Sequence, residues 1–150
     1  MKNRKQKLFI HCCELIKIQV EQAQQAMDLA QQDANNETKS SAGDKYETGR
    51  AMAQLDKERH ATRKAMALQS LHRLQSIDLS QVSDTISTGS LVTTNTGIYF
   101  ISIGLGKITL ENQTFTVISA DSPLGQALLG LEEDEELQFR GKAITIRSIE

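Results

Sequence analysis

Ser40-Ser41-Ala42-Gly43-Asp44-Lys45-Tyr46-Glu47 is the stretch on which the architecture turns. It is a cluster of turn-forming residues between two long segments of helical periodicity, and it carries two carboxylates three residues apart. On its N-terminal side, residues 3–33 hold neither Gly nor Pro, and Phe9, Cys12, Ile16, Val20, Ala23, Met27, Ala30 and Ala34 recur as one apolar stripe. The stripe narrows from large side chains to alanines toward the turn, which predicts close approach by a second helix. Asn35-Asn36 and Ser40 to Gly43 predict the end of this first helix, after roughly 45 Å of length for thirty residues. A second helix is predicted from Asp44, with Met52, Leu55, Thr62, Met66, Leu68, Leu71 and Leu74 on its apolar side and the stem of Arg59 filling one position. Gly49 weakens that helix by about 1 kcal/mol relative to Ala, a cost that tight packing near the turn would explain. So short a connection makes the helices antiparallel neighbours. Residues 1–75 therefore predict an antiparallel coiled-coil hairpin with its tip near 36–47.

Ser76 to Gly89 is rich in Ser, Asp and Thr and predicts a linker over 76–89, followed by a C-terminal domain over 90–150. From Ser90 the period changes to two. Leu91–Thr94, Ile98–Ile103, Lys107–Leu110 and Phe115–Ile118 predict strands, divided by Asn95-Thr96-Gly97, Gly104 to Gly106 and Glu111-Asn112-Gln113. Asp121-Ser122-Pro123-Leu124-Gly125-Gln126-Ala127-Leu128-Leu129-Gly130 predicts a short helix. Ser122 is its cap, Pro123 its first residue, and Gly130 the left-handed residue past its end. After the acidic run Glu132 to Glu136, Leu137–Phe139 and Ala143–Ile149 predict a closing hairpin around Arg140-Gly141. The predicted class is α+β, a helical hairpin followed by a small antiparallel sheet with one helix on its face.

The 150 residues carry a formal charge of −2, with 39% hydrophobic residues, little for one large core. Residues 1–88 are slightly basic and residues 89–150 are acidic, so neither half carries the strongly basic face of an autonomous nucleic-acid binder. Lys2, Arg4, Lys5 and Lys7 precede Leu8-Phe9-Ile10, but His11, Glu14 and Lys17 break the apolar run too early for a secretory leader. The only cysteines, Cys12 and Cys13, are adjacent and form no disulfide framework, which suits a reducing, cytoplasmic setting.

With Gly43-Asp44-Lys45-Tyr46-Glu47 at the turn and Ser122-Pro123-Leu124-Gly125-Gln126-Ala127-Leu128-Leu129-Gly130 before Glu132-Glu133-Asp134, the chain resembles the Gre-type transcript cleavage factors of bacterial RNA polymerase. That family pairs a coiled coil bearing a Gly-Asp-x-x-Glu tip with an FKBP-like C-terminal domain bearing a Ser-Pro-[Ile/Leu]-x-x-x-Leu-[Ile/Leu]-Gly motif and an acidic turn. The resemblance covers most of residues 89–150 and is looser in the hairpin. After the tip the family continues Asn-Ala-Glu-Tyr, whereas here Thr48-Gly49-Arg50-Ala51 follows.

The resemblance implies a monomeric elongation factor that inserts its coiled coil into the polymerase's secondary channel. It implies further that Asp44 and Glu47 help hold a Mg²⁺ shared with the polymerase and so assist cleavage of the RNA 3′ end in backtracked complexes. Mg²⁺ prefers carboxylate and water oxygens, and two metals together stabilise the attacking and leaving oxygens of a phosphodiester. Such a factor stimulates the polymerase's own nuclease and is not an enzyme by itself. Asp121, Ser122 and Pro123 are the implied polymerase contact, and Arg50, Lys57 and Arg59 on the return helix are positioned to steer RNA by charge. Local pattern alone favours a capping box for Asp44-Lys45-Tyr46-Glu47, with Asp44 as N-cap and Glu47 reaching back to its amide. A regulator of the same fold that occupies the channel without promoting cleavage is the second expectation. A prolyl isomerase would need an aromatic-lined pocket, for which the C-terminal part offers only Tyr99, Phe100, Phe115 and Phe139. A cysteine enzyme would need an activated thiol, and a plain adaptor would use the apolar stripe and not the acids.

Overall fold

The computed structural model describes residues 3–38 and 43–150, with side chains described at 3–36 and 47–150. The chain is α+β: α1 (Arg4–Thr38), α2 (Gly43–Gln75), six strands β1 (Leu91–Thr94), β2 (Ile98–Ser102), β3 (Gly106–Leu110), β4 (Gln113–Ser119), β5 (Glu136–Phe139) and β6 (Lys142–Ile149), and a short α3 (Pro123–Leu128) before β5. It divides into two compact units, Cys13–His72 on one side and Met1–Cys12 with Arg73–Glu150 on the other. The start of α1 thus belongs to the same unit as the sheet, where the sequence had assigned it to the hairpin. Among the described residues no helix is long and apolar enough to cross a membrane.

In the unit Cys13–His72 the two helices run antiparallel. Lys57 Nζ donates to Gln31 Oε1 (2.6 Å) and Lys64 Nζ to Gln24 Oε1 (2.7 Å), so a heptad forward on α2 is a heptad back on α1. The α1 stripe expected from the sequence is buried or half-buried throughout. The helix runs past Asn35-Asn36 to Thr38, and Gln31 Nε2 donates to the Asn35 side chain from one turn away (3.1 Å). The side-chain oxygen of Asn35 thus engages a neighbouring turn and does not terminate the helix.

The expected apolar side of α2 holds at Leu71 and Leu74 and is overturned before them. Met52, Leu55 and Met66 are 55%, 53% and 63% exposed, and Leu68 is also exposed. The inward row is Gly49, Ala53, Lys57, His60, Lys64, Ala67, Leu71 and Leu74, at spacings of three and four. Opposite the buried Ala23 and Ala30, only small side chains or long amphipathic ones fit a close approach, so the larger methionines and leucines turn outward. His60 Nδ1 is buried on this seam without a partner among the described residues. His60→Leu is expected to raise stability by about 1–2 kcal/mol, read as a higher midpoint in urea with an unchanged slope. A lower midpoint would show that Nδ1 is satisfied in solution.

The other unit is built on one sheet of order β3-β4-β2-β1-β6-β5. It is mixed, which corrects the expectation of an antiparallel sheet: β2 and β4 pair in parallel, Phe100 opposite Val117 and Ser102 opposite Ser119. The turn signals correctly join β3 to β4 and β5 to β6 as hairpins through Glu111-Asn112 and Arg140-Gly141, all four residues at positive φ. Once β3 and β4 form a hairpin, the free edge of β4 is available to β2, a pairing no local signal announces. One face carries the core of Ile86, Val92, Ile101, Leu128, Ile144 and Ile146, packed with Leu124 and Leu129 from and beside α3. On the opposite face Leu91, Phe100, Phe115 and Val117 are buried, as are Leu8 and Cys12 of α1 and Leu74 of α2. The Arg4 guanidinium bonds Thr93 Oγ1 (3.0 Å) and the Glu150 carboxylate, bringing the start of α1 to this face.

Lys5 is buried beside them, with Nζ donating to the Glu150 carbonyl (3.2 Å). Burial pushes its ammonium below the ordinary 10.5, and the Glu150 carboxylate opposes part of that shift. Below the folded-state pKa both states are charged. Between that value and 10.5 the unfolded chain holds the extra proton, so Lys5 makes stability rise with pH across that window. In matched chemical denaturations, Lys5→Met is expected to lose this rise while other slopes stay the same.

Candidate functional site

The expected site residues fall into two groups, one in each unit. At the start of α2 the backbone is helical from Gly43, so positions 44 and 47 lie one turn apart near the helix N-terminus. The side chain of Asp44 and residues 39–42 of the turn lie outside the described residues. Glu47 and Arg50 are exposed. Helical backbone at Gly43 puts Asp44 inside the first turn, where a carboxylate also gains from the helix dipole.

The basic residues of α2 are more committed than their sequence suggests. Lys57 is half-buried with its ammonium on Gln31, and the guanidinium of exposed Arg59 lies 3.6 Å from the Asp56 carboxylate, three residues earlier. Arg59 is exposed on a pair worth little in solution, whereas Lys57 is part of the helix seam. The seam Lys57-His60-Lys64 is the feature the sequence reading missed. Its signal was the seven-residue spacing of Ala53, His60, Ala67 and Leu74, which the larger Met52 and Met66 outweighed.

The second group is the corner between β4 and α3. Ser122 is the N-cap: its Oγ accepts from the Gly125 amide (3.0 Å) and donates to the Ser119 carbonyl (2.6 Å). Pro123 occupies the first turn and Gly130, at φ 84°, follows the C-cap Leu129, as the sequence predicts. With both roles of the Ser122 hydroxyl used internally, the groups this corner offers outward are the exposed Asp121 and Pro123. Gly125, given no role by the sequence reading, is buried with its Cα against the chain: a Cβ there would lie 2.2 Å from the Ser119 carbonyl oxygen.

Other chemistries find less support. Cys12 and Cys13 are buried, and burial raises the Cys13 thiol above its ordinary 9.0, with Lys17 opposing and Glu14 adding, the opposite of an activated nucleophile. Phe100 and Phe115 are core residues. Among the described residues no group of three or more His, Cys, Asp or Glu is arranged to hold a metal ion.

Compared with known proteins, the chain matches no family model and no characterised protein.

Proposed function

We propose that the chain is a Gre-type elongation factor of bacterial RNA polymerase. Its C-terminal domain is FKBP-like and docks through Asp121, Ser122 and Pro123, while the hairpin enters the secondary channel and brings Asp44 and Glu47 to the polymerase's active site. The observation that carries the reading is the pairing, in one chain, of an antiparallel helical hairpin with an α+β domain whose Ser122-capped, Pro123-led helix leaves Asp121 exposed. In this reading the factor works as a cytoplasmic monomer and has no nuclease activity alone.

The fit to Mg²⁺ rests on two carboxylate residues one turn apart, with Glu47 exposed. Asp44 and Glu47 would share the ion with the polymerase. The ion would supply charge neutralisation at the phosphodiester and a more acidic bound water. Asp44 and Glu47, one turn apart at the start of α2, would hold the ion through their carboxylates and could orient its water by hydrogen bonding. Arg50 and Arg59 add positive potential along the return helix toward the RNA 3′ end, and Lys57, engaged by Gln31, contributes field more than contact.

The test is a backtracked elongation complex with Mg²⁺, with and without the protein, scored for short 3′ RNA fragments. Accelerated release is expected, and absence of acceleration despite demonstrated binding would reject the cleavage role. That outcome is the one expected of a channel-occupying regulator. The engagement of Lys57 and Arg59 by Gln31 and Asp56 favours this second reading, as does Thr48-Gly49-Arg50-Ala51 after the tip.

A further inference from the structure

α2 carries more large apolar residues than its seam with α1 uses. Beside the inward row it has a second stripe, Met52, Leu55, Arg59, Thr62, Met66 and Gln69, every member of it exposed. The spacing alternates between three and four, as at the a and d positions of a heptad repeat, and sets this stripe on the side of the helix away from the seam. A helix that is apolar on a second side has a second surface to bury. Next to Met66 that side is also concave, with a groove of about 350 Å³ lined by Gln19, Gln22, Arg63, Met66, Ala67 and Ser70.

The charges beside the stripe select its occupant. Asp56 and Arg63 hold equivalent flanking positions, seven residues apart, one acidic and one basic. In an antiparallel pair of helices such equivalent flanks meet across the interface and set partner and register. When Leu55 is laid on Met66 of a second copy, Asp56 comes beside Arg63 of that copy, and the two-fold axis repeats both contacts. Arg59 then faces Thr62 across the centre, a layer that tolerates a charge. Sliding one helix by a heptad removes the Leu55–Met66 layers and sets Asp56 against Asp56 in one direction or Arg63 against Arg63 in the other. A parallel pair sets Arg59 against Arg59. The stripe is therefore complementary to itself in one antiparallel register, and its charges oppose the alternatives.

We propose that the outward stripe of α2 binds a second copy of this chain, forming a two-fold antiparallel dimer over residues 52–69. The pairing does not rest on the transcription reading, and polymerase is absent from its test; within that reading the dimer is the free form and the single chain the acting one. The full chain is examined by sedimentation equilibrium at low salt from about 5 to 500 µM. A monomer–dimer equilibrium with Kd on the order of 10–100 µM is expected, since two apolar layers and two ion pairs make a small interface. Asp56→Arg and Arg63→Asp are each expected to raise Kd roughly tenfold or more, because each sets like charges together twice. An equimolar mixture of these two variants is expected to recover the dimer, every flanking pair again being opposite in sign. Leu55→Gln, at an exposed position off the α1 seam, is expected to raise Kd by roughly tenfold while the far-ultraviolet circular dichroism stays that of the parent. A parent that remains monomeric throughout would overturn the proposal and leave the stripe to another protein or to solvent. A dimer indifferent to the three substitutions, or a mixture no more dimeric than its components, would overturn it equally.

Discussion

Gly125→Ala is expected to destabilise the protein by about 3 kcal/mol, lowering Tm by roughly 12 °C or more. The cause is a close approach of backbone to backbone. A Cβ at position 125 would meet the Ser119 carbonyl oxygen at 2.2 Å, Ser122 Oγ at 2.9 Å and the Ala120 carbonyl oxygen at 3.0 Å. None of these can step aside cheaply. The Ser119 carbonyl already accepts from the Ser122 amide (3.1 Å) and hydroxyl, so displacing it also strains the cap that starts α3. Leu128, fully buried in the core, then loses its anchor one turn later. Gly130→Ala separates this mechanism from backbone freedom: nothing lies within 4 Å of a Cβ there, but φ is +84°, so about 1–2 kcal/mol is expected. A Gly125→Ala protein that melts within a few degrees of the parent would show that the corner is looser in solution, and the same variant measured for polymerase binding tests the docking role of Asp121 and Pro123.

The double substitution Asp44→Ala with Glu47→Ala is expected to reduce stimulated RNA cleavage to the polymerase's own rate, a loss of at least about 10²-fold, while binding to polymerase changes little. On the proposed reading several kcal/mol of transition-state stabilisation would rest on carboxylate ligation, and alanine would remove all of it. Asp44→Asn tests ligation at small cost to the helix, because in the first turn of α2 asparagine forfeits only the dipole gain of about 0.3–1 kcal/mol but does not replace a carboxylate at Mg²⁺. A slightly weakened helix with lost cleavage is the expected pattern. Full cleavage by the double variant would remove the acids from the mechanism, and full binding without cleavage by the parent would identify a channel regulator.

The strands were legible because alternation of apolar residues and turn chemistry are local. Leu91–Thr94 is a strand over the predicted residues, and Arg140-Gly141 makes the predicted hairpin turn because both residues sit at positive φ. The Ser122 cap and Pro123 start were legible for the same reason, since a cap depends on bonds within one helical turn. The stripe of α1 was legible too, its apolar residues having a single helical phase. On α2 two phases compete one residue apart, and the bulk of Met52, Leu55 and Met66 pointed to the one that faces outward. Which phase wins depends on the partner surface: beside Ala23 and Ala30 the small row through Ala53 and Ala67 gives the closer contact. The close approach at Gly125 was invisible for a similar reason, because the atom that forbids a side chain there belongs to the preceding strand.

Sequence alone determined the element types, their order, the caps and turns of the C-terminal part, and the identity of the two acids at the tip, all consequences of contacts within a few residues. Tertiary structure alone decided the parallel pairing of β2 with β4, the inward face of α2, and the assignment of the first turns of α1 to the sheet's unit. Each of these depends on which distant surfaces bury the most apolar area with their polar groups paired, a choice made between segments and written in neither of them separately.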